Sequence, residues 1–166
     1  MSVAGALRST NPGTEVAVLF ADVVGSTRLY EVLGDPQARA LVLLCVDLMR
    51  HSTERNRGTV IKTIGDEILA IFPTADDAAN AAAEMQHDVG AHPELALQGQ
   101  HIAIRVGCHF GPVVFENKDI FGSSVHTANR MTSQAKAGQI VVTAETVQRM
   151  SREWRSCTRR IDITSL

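Results

Sequence analysis

The first patterned stretch of the chain is Val16 to Ala21, a continuous apolar run closed by Asp22 and Gly25, as expected of a strand buried inside a sheet. The period then changes. Gly34-Asp35-Pro36 opens a helix, with Pro in its first turn and Leu41, Leu44, Cys45, Leu48 and Met49 recurring on one face to about Arg55. Thr59 to Ile64 and Glu67 to Phe72 are β-rich runs flanking Gly65-Asp66, the signature of a hairpin with a two-residue turn. Thr74 followed by Asp77 starts a second long helix, whose Ala78, Ala81, Ala82, Met85 and Val89 form a small-residue stripe suited to close packing on a sheet. A polar loop through Pro93 leads to a strand over 102–108, which Gly111-Pro112 is expected to break. A turn-rich link precedes a helix over 122–135, a strand over 139–143 and a helix over 145–150, and Ile161 to Leu166 reads as a strand.

This order is the βαββαβ of a ferredoxin-like α+β domain with extra C-terminal elements. Residues 1–15 read as an N-terminal extension and 16–166 as one domain, expected to be cut short at its C-terminal end. A right-handed crossover makes the first two strands parallel, so their C-terminal ends share one edge of the sheet. Asp22 ends the first strand and Asp66 sits just beyond the second, which brings two carboxylates together beside the helix start at Gly25-Ser26-Thr27. Two close carboxylates repel by about 1 kcal/mol in water and by several in a cleft, so a compact pair calls for a proton or a cation. A hard divalent ion fits, and the backbone N–H groups of Gly25, Ser26 and Thr27 offer a cradle for phosphate oxygens. The plainer reading of either aspartate alone is a turn residue.

Composition narrows the partners. At 166 residues the chain suits one domain, and 45% hydrophobic with 20% charged residues is ordinary globular usage. A net charge of -2 lacks the basic footprint of a duplex nucleic-acid binder, and 4% aromatic residues leave little for a single-strand stacking platform. Three scattered cysteines fit neither a disulfide framework nor a zinc knuckle and point to a reducing, cytoplasmic setting. The histidines at 51, 87, 92, 101 and 109 have no metal-site spacing. No apolar run approaches the roughly 18 residues of a membrane span.

Three blocks then resemble the class III nucleotidyl cyclases: Phe20-Ala21-Asp22-Val23-Val24-Gly25-Ser26-Thr27, Lys62-Thr63-Ile64-Gly65-Asp66-Glu67, and Asp119-Ile120-Phe121-Gly122 running on to Ala128-Asn129-Arg130-Met131. The resemblance implies that Asp22, Asp66 and the Val23 carbonyl bind two Mg²⁺ or Mn²⁺ ions, one activating the ribose 3′-hydroxyl and one holding the triphosphate. Lys62, otherwise an outward-facing lysine in an apolar strand, matches with Asp119 the family's base-reading pair. An ammonium donor for purine N1 and a carboxylate acceptor for the N6 amine select adenine, hence ATP. Arg130, eleven residues after Asp119, matches the transition-state arginine; without the resemblance it would read as a helix-surface arginine. One turn before it, His126 stands where the family carries the asparagine that orients the ribose, and Ser123-Ser124 replace an acidic residue.

The family's architecture implies a head-to-tail homodimer, with the metal aspartates of one subunit facing Lys62, Asp119, His126 and Arg130 of the other, and further regulatory domains in the parent protein. Two departures bear on phosphate and partner binding: the tail stops before the lysine strand that contacts the triphosphate, and the arm Pro112 to Lys118 is short. Adenylate cyclase is the leading reading. A regulatory homologue that binds ATP without turnover is the alternative, on the strength of His126, and guanylate cyclase ranks below both. A diguanylate cyclase, suggested only by Ile64-Gly65-Asp66-Glu67, ranks last.

Overall fold

The computed structural model describes residues 13–97 and 100–161. At its centre is β1 (Thr14–Val24), whose Ala17, Leu19, Ala21 and Val23 point to one face of the sheet and Val16, Val18 and Phe20 to the other. Both sets are buried, which is why this strand reads as an unbroken apolar run instead of an alternating one. After α1 (Ser26–Leu33) and α2 (Asp35–Arg55), β2 (Thr59–Ile64) and β3 (Glu67–Phe72) form the expected hairpin about Gly65-Asp66. Helix α3 (Ala75–Ala91) is capped by Thr74, whose hydroxyl accepts from the Asp77 amide at 3.0 Å. A short 3-10 turn and a two-residue ladder, β4 (Ala96–Leu97) with β5 (Gln100–His101), lead to β6 (Ala103–Glu116). The chain continues through β7 (Asp119–Phe121), α4 (Ser123–Gln134), β8 (Ile140–Val142), α5 (Ala144–Gln148) and α6 (Arg152–Ser156).

The sheet order is β2-β3-β1-β6-β7, with β8 joining β6 in parallel. β1 is antiparallel to β3 and β3 to β2, so β1 and β2 run the same way, as the crossover rule requires. With β6 as the fourth core strand, this is the ferredoxin-like α+β arrangement, and β7, α4, β8, α5 and α6 are the extra elements.

Helices α2 and α3 seal one face by packing Met49 and Met85 onto Leu19, Ile68 and Phe72, each with almost no solvent exposure. The buried Ser52 hydroxyl donates to the Ala81 carbonyl at 2.9 Å and ties the two helices together. The other face is covered by α4 and by the β6–β7 hairpin, which curls across it so that Ile120 packs with Val16, Val18 and Leu69. Gly107 makes the α4 contact possible: a Cβ there would lie 2.1 Å from the Thr132 amide nitrogen.

Several sequence expectations are corrected. Gly111-Pro112 does not break the strand. β6 continues to Glu116, with Gly111 opposite Val16 and Pro112 opposite Glu15, because an X–Pro step is tolerated where the strand loses only one donor. The arm Pro112–Lys118 is therefore mostly strand. It closes on β7 through Asn117-Lys118, both in the left-handed region at φ 53° and 62°, a turn of the kind that matches strand twist. Asp22 does not end β1, which runs on to Val24 and begins at Thr14, within the expected extension. The loop through Pro93 holds a 3-10 turn and the small ladder, and the last helix is followed by another, α6. The tail strand falls outside the described residues except for Ile161, which is irregular. Cys45 and Cys108 are buried, and burial pushes both thiols up to about 12. No helix among the described residues is long and apolar enough to cross a membrane.

Candidate active site

Asp22 lies in register with Glu67 of β3 on one side and Arg105 of β6 on the other. Partners in a ladder share a face, so the three side chains stand in a row on the face covered by α4. The Val23 amide donates to the Asp66 carbonyl at 3.2 Å, which fixes the turn bearing Asp66 against the end of β1. The sequence expectation that two carboxylates meet at one edge is met at the level of the backbone. Burial, and then the charges of Asp22 and Asp66, hold the Glu67 carboxyl above its ordinary range.

Arg105 is the residue that the motifs did not single out. Its Nε donates to Asp22 Oδ1 at 2.8 Å and its Nη2 to Oδ2 at 3.2 Å, a two-point fork on a carboxylate only 13% exposed. A third contact reaches the Ser133 carbonyl of α4 at 3.5 Å. The signal was present in the sequence: Arg105 is the one charged residue of an otherwise apolar strand over 102–108.

The donor set fits a hard divalent ion: carboxylates of Asp22 and Asp66 and the Val23 carbonyl are all oxygen ligands. Among the described residues no cluster of three or more His, Cys, Asp or Glu is already gathered to hold a metal. Such an edge suits an ion whose coordination is completed by substrate oxygens.

Lys62 and Asp119 meet across the second face, Nζ to Oδ2 at 2.8 Å, although β2 and β7 stand at opposite ends of the strand order. The curled hairpin brings them together. The hydrogen bond from Lys62, with one from the Ile120 amide, holds the Asp119 carboxyl below its ordinary range. Both side chains remain reachable from solvent.

His126 and Arg130 sit one turn apart on the exposed side of α4, without a hydrogen-bonding or ion-pair partner among the described residues. They are not gathered with the Asp22–Asp66 edge by any such contact. Gly25 opens α1 in the left-handed conformation at φ 74°, and no side chain caps the helix there. A cleft of about 310 Å³ lies on one side, lined by Val24, Gly25, Arg105 and Lys136 among others. A second of about 280 Å³, lined by Ser26, Tyr30, Arg39 and Asp66 among others, lies on the other.

Comparison with known proteins gives a consistent picture. A family model described as "Adenylate and Guanylate cyclase catalytic domain" matches residues 9–165. An adenylate cyclase of Streptomyces coelicolor is 35% identical over an alignment of 129 residues that covers 76% of this chain and 32% of that protein, so the chain spans about a third of this relative's length. Among solved structures, an adenylate/guanylate cyclase/hydrolase from Silicibacter pomeroyi is 32% identical with a TM-score of 0.69, covering 81% of this chain and 78% of that one. A guanylyl cyclase domain from Blastocladiella emersonii, described as a non-canonical dimer, is 25% identical with a TM-score of 0.72, covering 81% and 82%.

Proposed function

The chain belongs to the adenylate and guanylate cyclase catalytic-domain family, and from that membership we propose that it converts ATP to 3′,5′-cyclic AMP and pyrophosphate at sites shared between two copies of the chain. The observation that carries the choice of ATP is the Lys62–Asp119 pair: one donor and one acceptor held 2.8 Å apart and open to solvent match N1 and N6 of adenine. Guanine presents a protonated N1 and a carbonyl, and would leave both groups mismatched. The adenylate cyclase of S. coelicolor supports the same choice.

In the reaction the ribose 3′-oxygen bonds to the α-phosphorus, the bond from that phosphorus to the oxygen bridging it to the β-phosphate breaks so that this oxygen leaves with pyrophosphate, and the 3′-hydroxyl proton passes to solvent. Asp22, Asp66 and the Val23 carbonyl would hold divalent ions, which supply Lewis acidity for the 3′-hydroxyl and charge neutralisation for the leaving pyrophosphate. Gly25, Ser26 and Thr27 offer uncapped amides to the phosphates. Arg130 places a permanent cation on charge developing at the α-phosphate, and His126 orients the ribose through one ring nitrogen. The catalytic unit takes in β1 from Thr14 onward.

Two features support a shared site. Each cleft beside α1 is near the lower limit for enclosing a small ligand. His126 and Arg130 also project from α4 with no partner in their own chain among the described residues. In a head-to-tail pair they would face the Asp22–Asp66 edge of the second copy.

Cyclic AMP formation from ATP with Mn²⁺, measured against protein concentration, tests the reading. Activity is expected to rise more steeply than linearly, to be lost in Asp22→Ala, and to exceed any turnover of GTP. His126, at the family's asparagine position, favours one second reading, a regulatory homologue. ATP binding with no product under Mg²⁺ or Mn²⁺ would establish it and overturn the enzyme.

A further inference from the structure

We infer that Arg105 is a positioning residue that competes with the divalent ion for Asp22, so that the edge is held closed by an internal cation until an ion displaces it. The inference rests on the proposed role of Asp22 as a metal ligand. Its own ground is the geometry of the fork. Arg105 engages both oxygens of the Asp22 carboxylate, at 2.8 and 3.2 Å, and those are the atoms an ion would use.

Three circumstances make the pairing a built feature instead of a chance surface contact. Asp22 and Arg105 are directly opposite in the β1–β6 ladder, so the backbone sets their separation. The Asp22 side chain is 13% exposed and that of Arg105 35%, so solvent screens the pair less than it would a surface ion pair. Glu67 stands across from Asp22 on the other side, and Asp66 is joined to the strand end through Val23. Without a nearby cation these carboxylates would crowd one edge with negative charge. Arg105 supplies it.

Displacement has somewhere to go. The 310 Å³ cleft between the end of β1 and the end of α4 is lined by Arg105 itself, with Val24, Gly25 and Ala135. A rotamer change would carry the guanidinium from Asp22 into that space without moving the backbone. An ion arriving alone must therefore break two charge-assisted hydrogen bonds before it gains a carboxylate, and its affinity is correspondingly low.

The test is Mn²⁺ binding to the whole chain without nucleotide, read from the electron paramagnetic resonance signal of free Mn²⁺. Arg105→Gln is expected to tighten binding about tenfold, the scale of one partly buried charge pair. Arg105→Lys, which keeps the charge but loses the fork, is expected to fall between the two. Asp22→Asn should remove the tight site from both the wild-type and the Arg105→Gln chain. Equal or weaker binding by Arg105→Gln, with the Asp22 dependence intact, overturns the competition and leaves the metal reading standing. Mn²⁺ binding that ignores Asp22→Asn overturns the metal reading and this inference with it. Should Arg105→Gln fail to fold by circular dichroism, Arg105→Lys decides alone: tighter binding than wild type upholds the competition, and unchanged or weaker binding overturns it.

Discussion

On one face of the sheet Leu19, Ile68 and Phe72 are sealed beneath α2 and α3; on the other, Ile64 is 50% exposed and Phe121, on the curled hairpin, 49%. Lys62, Asp119, His126 and Arg130 all belong to the second side. The first face has the composition of a finished core, with 21 buried residues in one cluster against seven in the cluster under α4 and the hairpin. Apolar surface left beside exposed polar side chains, Arg130 among them without a partner among the described residues, is characteristic of a face that meets something else. One side of the sheet thus holds the fold, and the other carries Lys62, Asp119, His126 and Arg130, the residues proposed for base selection and catalysis.

The sharpest way to break that division is to make the same deletion on both sides. Phe72→Ala, which empties a fully buried site, is expected to cost about 3–5 kcal/mol in urea unfolding. Phe121→Ala should cost less than about 1 kcal/mol and instead weaken self-association in sedimentation. A large stability loss at Phe121 would mean that its side belongs to the core of the single chain.

Next in size is Arg130→Ala. Because the side chain is exposed and has no partner among the described residues, the unfolding midpoint should stay in place. Removing a cation from developing charge at the α-phosphate is expected to lower kcat by roughly 100-fold or more. Loss of stability in parallel with activity would make Arg130 a structural residue and erase the contrast with Phe72.

The two sides also differ in how far the sequence revealed them. The helix-covered face follows from local patterns: the stripe Ala78, Ala81, Ala82, Met85 and Val89 is buried throughout, and β1, β2 and β3 appear where their apolar runs lie. Local patterns fail on the other face because its contacts are long-range. Pro112 suggests a break, yet pairing with Glu15 carries β6 through it. The hairpin's curl, which joins Lys62 to Asp119 across 57 positions, has no signature within either segment. Arg105 is visible as an oddity in its strand, but its partner lies 83 residues away, so only the β1–β6 register identifies it.

Base selection gives a smaller effect. Lys62→Met removes the donor proposed for adenine N1 and the partner of Asp119, at a side chain that is 43% exposed. The ratio of kcat/KM for ATP over GTP is expected to fall about tenfold, the scale of one hydrogen-bonding group. An unchanged ratio would show that the exposed pair is an ordinary surface ion pair, no different from Arg57 with Asp77 on the helix side.

The smallest expected effect concerns the same pair and pH. The Asp119 carboxyl is held below its ordinary range by Lys62 and then by the Ile120 amide. A depressed carboxyl contributes stability that is fully present above its unfolded value, near 3.9, and is lost as pH falls through the folded value. The window therefore lies below about pH 4. With Asp119 25% and Lys62 43% exposed, solvent screening limits the contribution to about half a kcal/mol. Urea unfolding of wild type and Asp119→Asn from pH 6 to pH 3 should show a small advantage for wild type that closes at the acid end. Glu84, whose carboxyl is lowered by Asn56 and then Arg55 on the helix side, titrates equally in both chains and cancels in the difference. An advantage of several kcal/mol would mean that the pair is buried by a second copy under the conditions of measurement. Diluting the protein would then have to shrink it, because only an assembled dimer loses that burial on dilution.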